Sequence, residues 1–537
     1  MNSYHVVQAV AGVDLTAVLD GFTVQSGVAN SPAVLLDQVG GGLVIENNAN
    51  PTVDNCVFAS NSATFEGGGV EVQSDPTIQT FDNCTFQSNS APVGGGLDSL
   101  RQVVLNTCTF GSNNATTGNG GGIFAQMGTL TVNTCTFTTN SAAVDGGGID
   151  TMVTTGIQNS TFTKNSASLA GGGLCFEAGA ANSTSTSDSF QTNMAANGGG
   201  VETFPVAAFM ADTYQNNVAT VAGGGMEVGG GTATLSNCNF MSNNSSASGI
   251  CVGGGLNNNA TVVMTLCQFT NNSASASGGG VNCTATSASL TATSCRLQGN
   301  TAINGGGASI ACVSTLTQCD FVGNSAVTGN GGGIANQAGN MNLTDCFLDS
   351  NKASMTGGGM FNVAGATVTN CVICYNSAVS GAGLCNNGGN TGITNCTFSG
   401  NTINTGTGPA ISIQGGGGGV TVTNSILWQN NPSALPPLDS PTQLVQFTDI
   451  QDFGYQGVTF TNIDADPQFA NPQARSEWTE FIAPPTTASI CFRRLTSASP
   501  AAPRPDHGCS TSPAPPASLP ARCCPTMRWT RATRHFR

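Results

Sequence analysis

A repeat constrains this chain more than any other feature. A glycine triplet followed by an apolar residue recurs along it, as in Gly67-Gly68-Gly69-Val70, Gly94-Gly95-Gly96-Leu97 and Gly146-Gly147-Gly148-Ile149. About fifteen to twenty residues after each triplet comes Asn-Cys-Thr-Phe-x-x-Asn or a close variant. One slot holds Phe58, Phe86, Phe110, Phe137, Phe162, Phe190, Tyr214, Phe240, Phe269, Leu297, Phe321, Leu348, Ile373, Phe398 and Leu427, at spacings of 24 to 29 residues. Three positions later stands an asparagine in all fifteen copies: Asn61, Asn89, Asn113, Asn140, Asn165, Asn193, Asn217, Asn243, Asn272, Asn300, Asn324, Asn351, Asn376, Asn401 and Asn430.

A fixed period of this length means a solenoid, in which each repeat buries its apolar face against the next. Helical repeats fit badly, because each glycine costs about 1 kcal/mol in a helix. Leucine-rich repeats need a leucine framework that is missing here. Calcium-binding nonapeptide rolls have a far shorter period. A coil of ~26 residues has a contour of ~86 Å at ~3.3 Å per residue, room for three short strands and three turns around a packed interior. The crossover preference of parallel strands makes the winding right-handed. The expected fold is therefore all-β: a single-stranded right-handed parallel β-helix of about fifteen coils over residues 40–430.

Each slot then has a physical task. The residue after the triplet (Leu43, Val70, Leu97, Ile123, Ile149, Leu174 and their successors) is apolar and points inward. The aromatic slot forms a second inward ladder. The asparagine is expected in a left-handed turn, with its amide bonding to the asparagine of the next coil. Eleven of the 21 cysteines occupy one slot two residues before the aromatic: Cys56, Cys84, Cys108, Cys135, Cys238, Cys267, Cys295, Cys319, Cys346, Cys371 and Cys396. Alternation turns that slot inward too, so these read as buried thiols. Scattered disulfides are open to Cys175, Cys251, Cys283, Cys312, Cys374 and Cys385. Only Cys371 and Cys374 form a Cys-x-x-Cys pair, with no second pair or histidine beside it for a metal.

At this point the pairing of Gly-Gly-x-apolar with Phe-x-x-Asn resembles the repeats of chlamydial polymorphic outer-membrane proteins and their bacterial β-helix relatives. The resemblance covers about residues 40–430 and, weakly, Leu19-Asp20-Gly21-Phe22-Thr23-Val24. It implies a pectin-lyase-like β-helix and an adhesive role at the outer cell surface. The chain departs from those proteins in having no C-terminal segment of alternating strands for a membrane barrel.

Charge excludes several functions. Residues 1–474 hold four basic side chains, Arg101, Lys164, Arg296 and Lys352, against 25 acidic ones. Such a body should not bind nucleic acid, which needs clustered Lys and Arg. No apolar run is long enough to span a bilayer, and no signal peptide opens the chain, which reads as a truncated start. Histidine catalysis is nearly excluded, since His5 is the sole histidine before residue 475.

One candidate site remains. Two positions after the triplet the strand should face outward, and that slot holds Glu71, Asp98, Asp150, Glu202 and Glu227. Glu71 and Asp98 lie on adjacent coils, as do Glu202 and Glu227. Carboxylates one rung apart suit the acid and nucleophile of a glycosidase, or weak Ca²⁺ binding. The plainer reading is a solvated acidic face that keeps the solenoid soluble. Phe124 and Phe361 are its only outward aromatics, so no platform for sugar stacking accompanies it.

Four segments follow: residues 1–39 as partial coils, 40–430 as the β-helix, 431–474 as a C-terminal cap, and 475–537 as a tail. The tail holds nine arginines and ten prolines, and reads as either a frameshifted ending or a disordered basic segment. The leading functional expectation is a non-enzymatic secreted or cell-surface structural or adhesion protein. Its partners would be glycans or proteins of a host or neighbouring cell, with no cofactor. The alternatives are a carbohydrate-active β-helix and a passive spacer.

Overall fold

Each repeat closes into one coil of four short strands. In the coil that opens with the Gly67 triplet they are Val70–Val72, Gln79–Asp82, Thr85–Gln87 and Ser90–Ala91. Every strand pairs in parallel with its counterpart one coil on, with Val70 opposite Leu97 and Phe86 opposite Phe110. The computed structural model describes residues 4–450 apart from 33–37, 74–76, 247–249, 406–408, 416–417, 432–442 and 447. Over these residues the strands assemble into four continuous parallel sheets of 16, 17, 17 and 15 strands, one on each side of the coil in chain order. The molecule is a right-handed parallel β-solenoid of about fifteen coils, with no helix among the described residues.

The coil has four strands rather than the three expected from its contour. Two single-residue bends make the difference. Asn83, with φ 52°, separates the second strand from the third, and Ser88, with φ 56°, separates the third from the fourth. One left-handed residue turns the chain without consuming a loop, so both corners fit within the repeat.

The coils extend beyond the repeats that the sequence displays. Within residues 1–39, Val7–Ala9, Val18–Asp20, Thr23–Gln25 and Val28–Ala29 make a complete coil, and Val7 pairs with Leu43. Past Asn430, Gln443–Gln446 adds to Val420–Thr423, and Asp449–Ile450 adds to the strand of Leu427. The rest of the expected cap and the whole 475–537 tail lie outside the described residues. The chain divides into two units, Met1–Pro467 and Gln468–Arg537.

The interior is a set of ladders. The rings of Phe58, Phe86, Phe110, Phe137, Phe162, Phe190, Tyr214, Phe240 and Phe269 form one unbroken stack, with centroids 4.3–5.2 Å apart. Burying each ring contributes roughly 1.5–3 kcal/mol, and stacking adds ~0.5–1.5 kcal/mol per pair. The parallel strand spacing of ~4.8 Å sets the centroid distance, so the backbone and the rings favour the same rise.

The asparagines form a second ladder. In each rung Oδ1 accepts both the backbone N–H and the Nδ2 of the preceding asparagine. Asn217, for example, takes the Asn193 backbone and side chain at 3.0 Å each. Its own Nδ2 donates to the Phe190 carbonyl at 2.8 Å and to Asn243 Oδ1 at 3.0 Å. The same links run from Asn61 to Asn430. The expected left-handed backbone is not at the asparagine, however. It falls one residue earlier, at Ser60, Ser88, Ser112, Thr139, Lys164 and their equivalents. The asparagine is required for its amide, which is donor and acceptor at once, and the bend is left to whichever residue precedes it.

The cysteine slot works similarly. All eleven cysteines are buried thiols. Three of them also accept a hydrogen bond from the preceding coil: Cys108 N–H donates to Cys135 Sγ at 3.3 Å, Cys319 N–H to Cys346 Sγ at 3.5 Å and Cys371 N–H to Cys396 Sγ at 3.4 Å. Where the slot changes residue the bond survives, from Cys135 N–H to Ser160 Oγ, Ser160 N–H to Asp188 Oδ1, and Asp188 N–H to Asp212 Oδ1. The slot therefore calls for a small side chain with an acceptor atom, which explains why Ser and Asp replace Cys there. One disulfide joins neighbouring coils outside the slot, Cys283 to Cys312.

Candidate functional site

The outward slot of the first sheet carries the acidic candidates. Its side chains stack one per coil in the order Val44, Glu71, Asp98, Phe124, Asp150, Cys175, Glu202, Glu227, Asn257 and Asn282. Glu71 therefore lies one rung from Asp98, and Glu202 one rung from Glu227.

The expectation of a solvated face is corrected here. Glu71, Asp98 and Asp150 are 0 % exposed, Glu202 4 % and Glu227 3 %. Phe124 and Phe361 in the same column are buried as well. The cause is the glycine triplet. Its first residue is left-handed (Gly67, φ 60°; Gly146, φ 63°) and folds the chain back over the side chain four residues on. A Cβ on Gly146 would sit 2.4 Å from Asp150 Cβ, and one on Gly67 would sit 2.8 Å from Glu71 Oε2. The triplet is thus a lid over the slot as well as a bend. The slot faces away from the core, yet it is roofed by its own coil.

Phe124 divides the acids into two groups. In the first, carboxylate oxygens of Glu66, Glu71 and Asp98 all lie within 4.8 Å of one another. The Gln126 amide donates to both Asp98 oxygens at 3.0 and 3.1 Å and to Glu66 at 3.4 Å. Both Glu71 oxygens are buried without a hydrogen-bond donor. Burial, then the charges of Asp98 and Glu66, push the Glu71 carboxyl well above the usual range. Asp98 is raised by burial and by Glu66. Arg101, on the Asp98 coil, turns its guanidinium to Thr77, Gln79 and the Ala49 carbonyl.

The second group runs over four coils. Asp150 Oδ2 accepts the Asn119 amide at 2.9 Å, while Oδ1 has no donor. Cys175 points its thiol at Glu177 Oε1, 3.6 Å away. Asp150, Cys175 and Glu177 place their ligand atoms within 4.8 Å of one another. Burial, then Glu227, raises Glu202 to about 9. Burial raises Glu227 to about 8, although Asn257 at 2.9 Å and Asn259 at 2.7 Å hold one of its oxygens. Asp145, half-buried beside them, rises to about 6 through burial and Glu177.

At neutral pH Glu202 and Glu227 therefore hold their protons. A retaining glycosidase needs one ionised carboxylate and one protonated carboxyl open to the same sugar. These two are both neutral and both roofed. Sequence reasoning missed Glu66, Asp145, Gln126 and Glu177. Glu66 and Asp145 occupy the position just before a triplet, and Gln126 and Glu177 the position two past the outward slot. Those positions vary too much along the chain to stand out as a repeat.

A third polar cluster interrupts the core. Asp188 and Asp212 occupy the cysteine slot on adjacent coils. Asp188 accepts from Ser160, Ser185 and Thr186, and burial lifts it to about 6. Burial lifts Asp212 to about 8, and its Oδ2 and the Tyr214 hydroxyl both lack partners. A shallow groove on the fourth sheet, lined by Ser141, Ala142, Ser166, Ala167, Met194 and Ala195, carries no titratable group.

Comparison with known proteins adds one finding. The family described as the right-handed β-helix region matches residues 33–204, a stretch that includes Glu71, Asp98, Asp150 and Glu202 of the outward slot. No curated protein matches the chain. Sequence repeat, coil geometry and family match agree that this is a right-handed parallel β-helix repeat protein.

Proposed function

We propose that the chain is a non-enzymatic structural or adhesive protein of the outer cell surface, in the manner of the chlamydial repeats it resembles. One observation carries this reading: the recurrent inward side chains and the glycine triplets are engaged in joining one coil to the next or in covering the outward slot. The aromatics stack, the asparagines and thiols bridge coils, and the glycines cover the outward acids. The recurrent groups left over are outward hydroxyls, which carry no acid or base, and a polymer cannot reach the carboxyls of the outward slot, which are at most 4 % exposed.

The third sheet supports adhesion. Its outward residues on successive rungs are Thr85, Thr109, Thr136, Thr161, Ser189 and Thr213. A row of hydroxyls at ~4.8 Å spacing suits repeated hydrogen bonds to a glycan or an extended protein segment.

The test incubates the full chain with a panel of neutral and acidic polysaccharides, with and without Ca²⁺. Reducing ends, unsaturated products and binding are all followed. The reading expects binding to surface glycans or cells without cleavage, weakened by Thr109→Val, Thr136→Val and Thr161→Val together. Cleavage lost in Glu71→Gln, Asp98→Asn, Glu202→Gln, Glu227→Gln would make the protein a carbohydrate-active enzyme instead.

A further inference from the structure

Three carboxyl groups converge under the first lid, and they are the wrong company for one another unless something positive joins them. Glu66, Glu71 and Asp98 place oxygens within 4.8 Å. Two of the three are fully buried. Glu71 offers one of its oxygens to this space, and both are buried with no hydrogen-bond donor. An orphaned buried carboxylate is costly, whereas a paired or metal-bound one is not. Among the described residues the donor at the cluster is the Gln126 amide, and it serves Asp98 and Glu66.

We propose that Glu66, Glu71 and Asp98 form a binding site for one Ca²⁺ ion that clasps two neighbouring coils. The donor set is all oxygen, which selects a hard cation over zinc or copper. Ca²⁺ takes six to eight oxygens in flexible geometry, so three carboxylates, one or two of them bidentate, cover much of its shell. The Gln126 amide, turned over, offers its oxygen as a further ligand. Mg²⁺ fits less well, since it demands near-ideal octahedral geometry and gives up water reluctantly.

The surroundings permit entry. Glu66 and Gln126 are partly exposed, while Glu71 and Asp98 lie beneath. The ion would enter past Glu66 and keep water on that side. Glu66 precedes the triplet that covers Glu71, so binding would pin the lid to the strand under it. Asp98 comes from the next coil, so the same ion would join two coils across the sheet. The second acidic group differs in kind, because a thiol, Cys175, takes the place of one carboxylate.

The test titrates Ca²⁺ into metal-stripped full chain by calorimetry, with thermal unfolding in Ca²⁺ and in chelator. The expected result is one ion bound at this site and a higher unfolding temperature with Ca²⁺. Glu66→Gln, which alters only the rim and leaves the buried pair intact, and Glu71→Gln should each weaken binding by at least about tenfold, the lower end of what losing even an outer-shell partner does to a metal site. Glu177→Gln should leave this binding unchanged. Absence of binding at millimolar Ca²⁺ would overturn the proposal and leave Glu71 and Asp98 sharing a proton. Binding that survives both Glu66→Gln and Glu71→Gln in folded protein would overturn it equally.

Discussion

A single asparagine in this molecule fixes four groups at once. Replacing Asn217 by leucine would strip the Asn193 backbone N–H and side-chain amide of their acceptor, and the Phe190 carbonyl of its donor. Each buried group left unsatisfied costs ~1–3 kcal/mol. Asn217→Leu should therefore cost about 3 kcal/mol or more, read as a lower urea midpoint, while an exposed change such as Thr136→Ser should move it little. The buried acids make a second prediction at this scale. Folded Asp212 keeps its proton to about pH 8, whereas the unfolded carboxyl releases it near 3.8. Between those values the folded state binds more protons, so stability falls as pH rises. The unfolding temperature should be higher at pH 5 than at pH 8.5, and Asp212→Asn should flatten that slope. A profile that rises from pH 5 to 8.5 in the parent would contradict the burial of these acids. Much at this scale was legible in the sequence: the asparagine ladder follows from its fifteenfold recurrence. The left-handed residue before it was not, because Ser60, Lys164, Gly299 and Tyr375 have no side-chain property in common.

At the scale of the element, the glycine triplet decides whether a coil can stack. A Cβ on Gly68 would lie 2.5 Å from the Gly95 carbonyl oxygen and 2.6 Å from the Ser90 backbone. Gly156, within a strand of the second sheet, meets nothing closer than 3.6 Å. Gly68→Ala should therefore force adjacent coils apart and cost about 1–3 kcal/mol, the usual range for overpacking. Gly156→Ala should be neutral or add up to about 1 kcal/mol by restricting the unfolded chain. Chemical denaturation of the two variants side by side separates a required glycine from an incidental one. The triplet also explains why the outward slot reads as solvated from sequence alone. Alternation along Val70–Val72 correctly turns Glu71 away from the core. It carries no information about a lid supplied by the chain four residues earlier. The recurrence of glycine immediately before the slot was the available clue, and it admits a second meaning, close approach, besides flexibility. The same limit applies to strand number, since a contour length counts residues and cannot count one-residue corners.

The solenoid, the largest scale described, is quasi-one-dimensional. Each coil touches only its neighbours, so stability is close to a sum of coil and interface terms. Fifteen coils at ~4.8 Å span about 70 Å along the solenoid axis, a length that would serve the proposed stalk or a repetitive adhesive face. The central claim is that the coils are joined by continuous ladders from end to end. Amide hydrogen exchange, resolved along the chain, tests this most directly. The account predicts slow exchange that recurs once per coil from Leu43 to Trp428, centred on the amides of the asparagine slot, which donate to the next coil. Rapid exchange across a block of several coils, or protection without the 24- to 29-residue period, would contradict it.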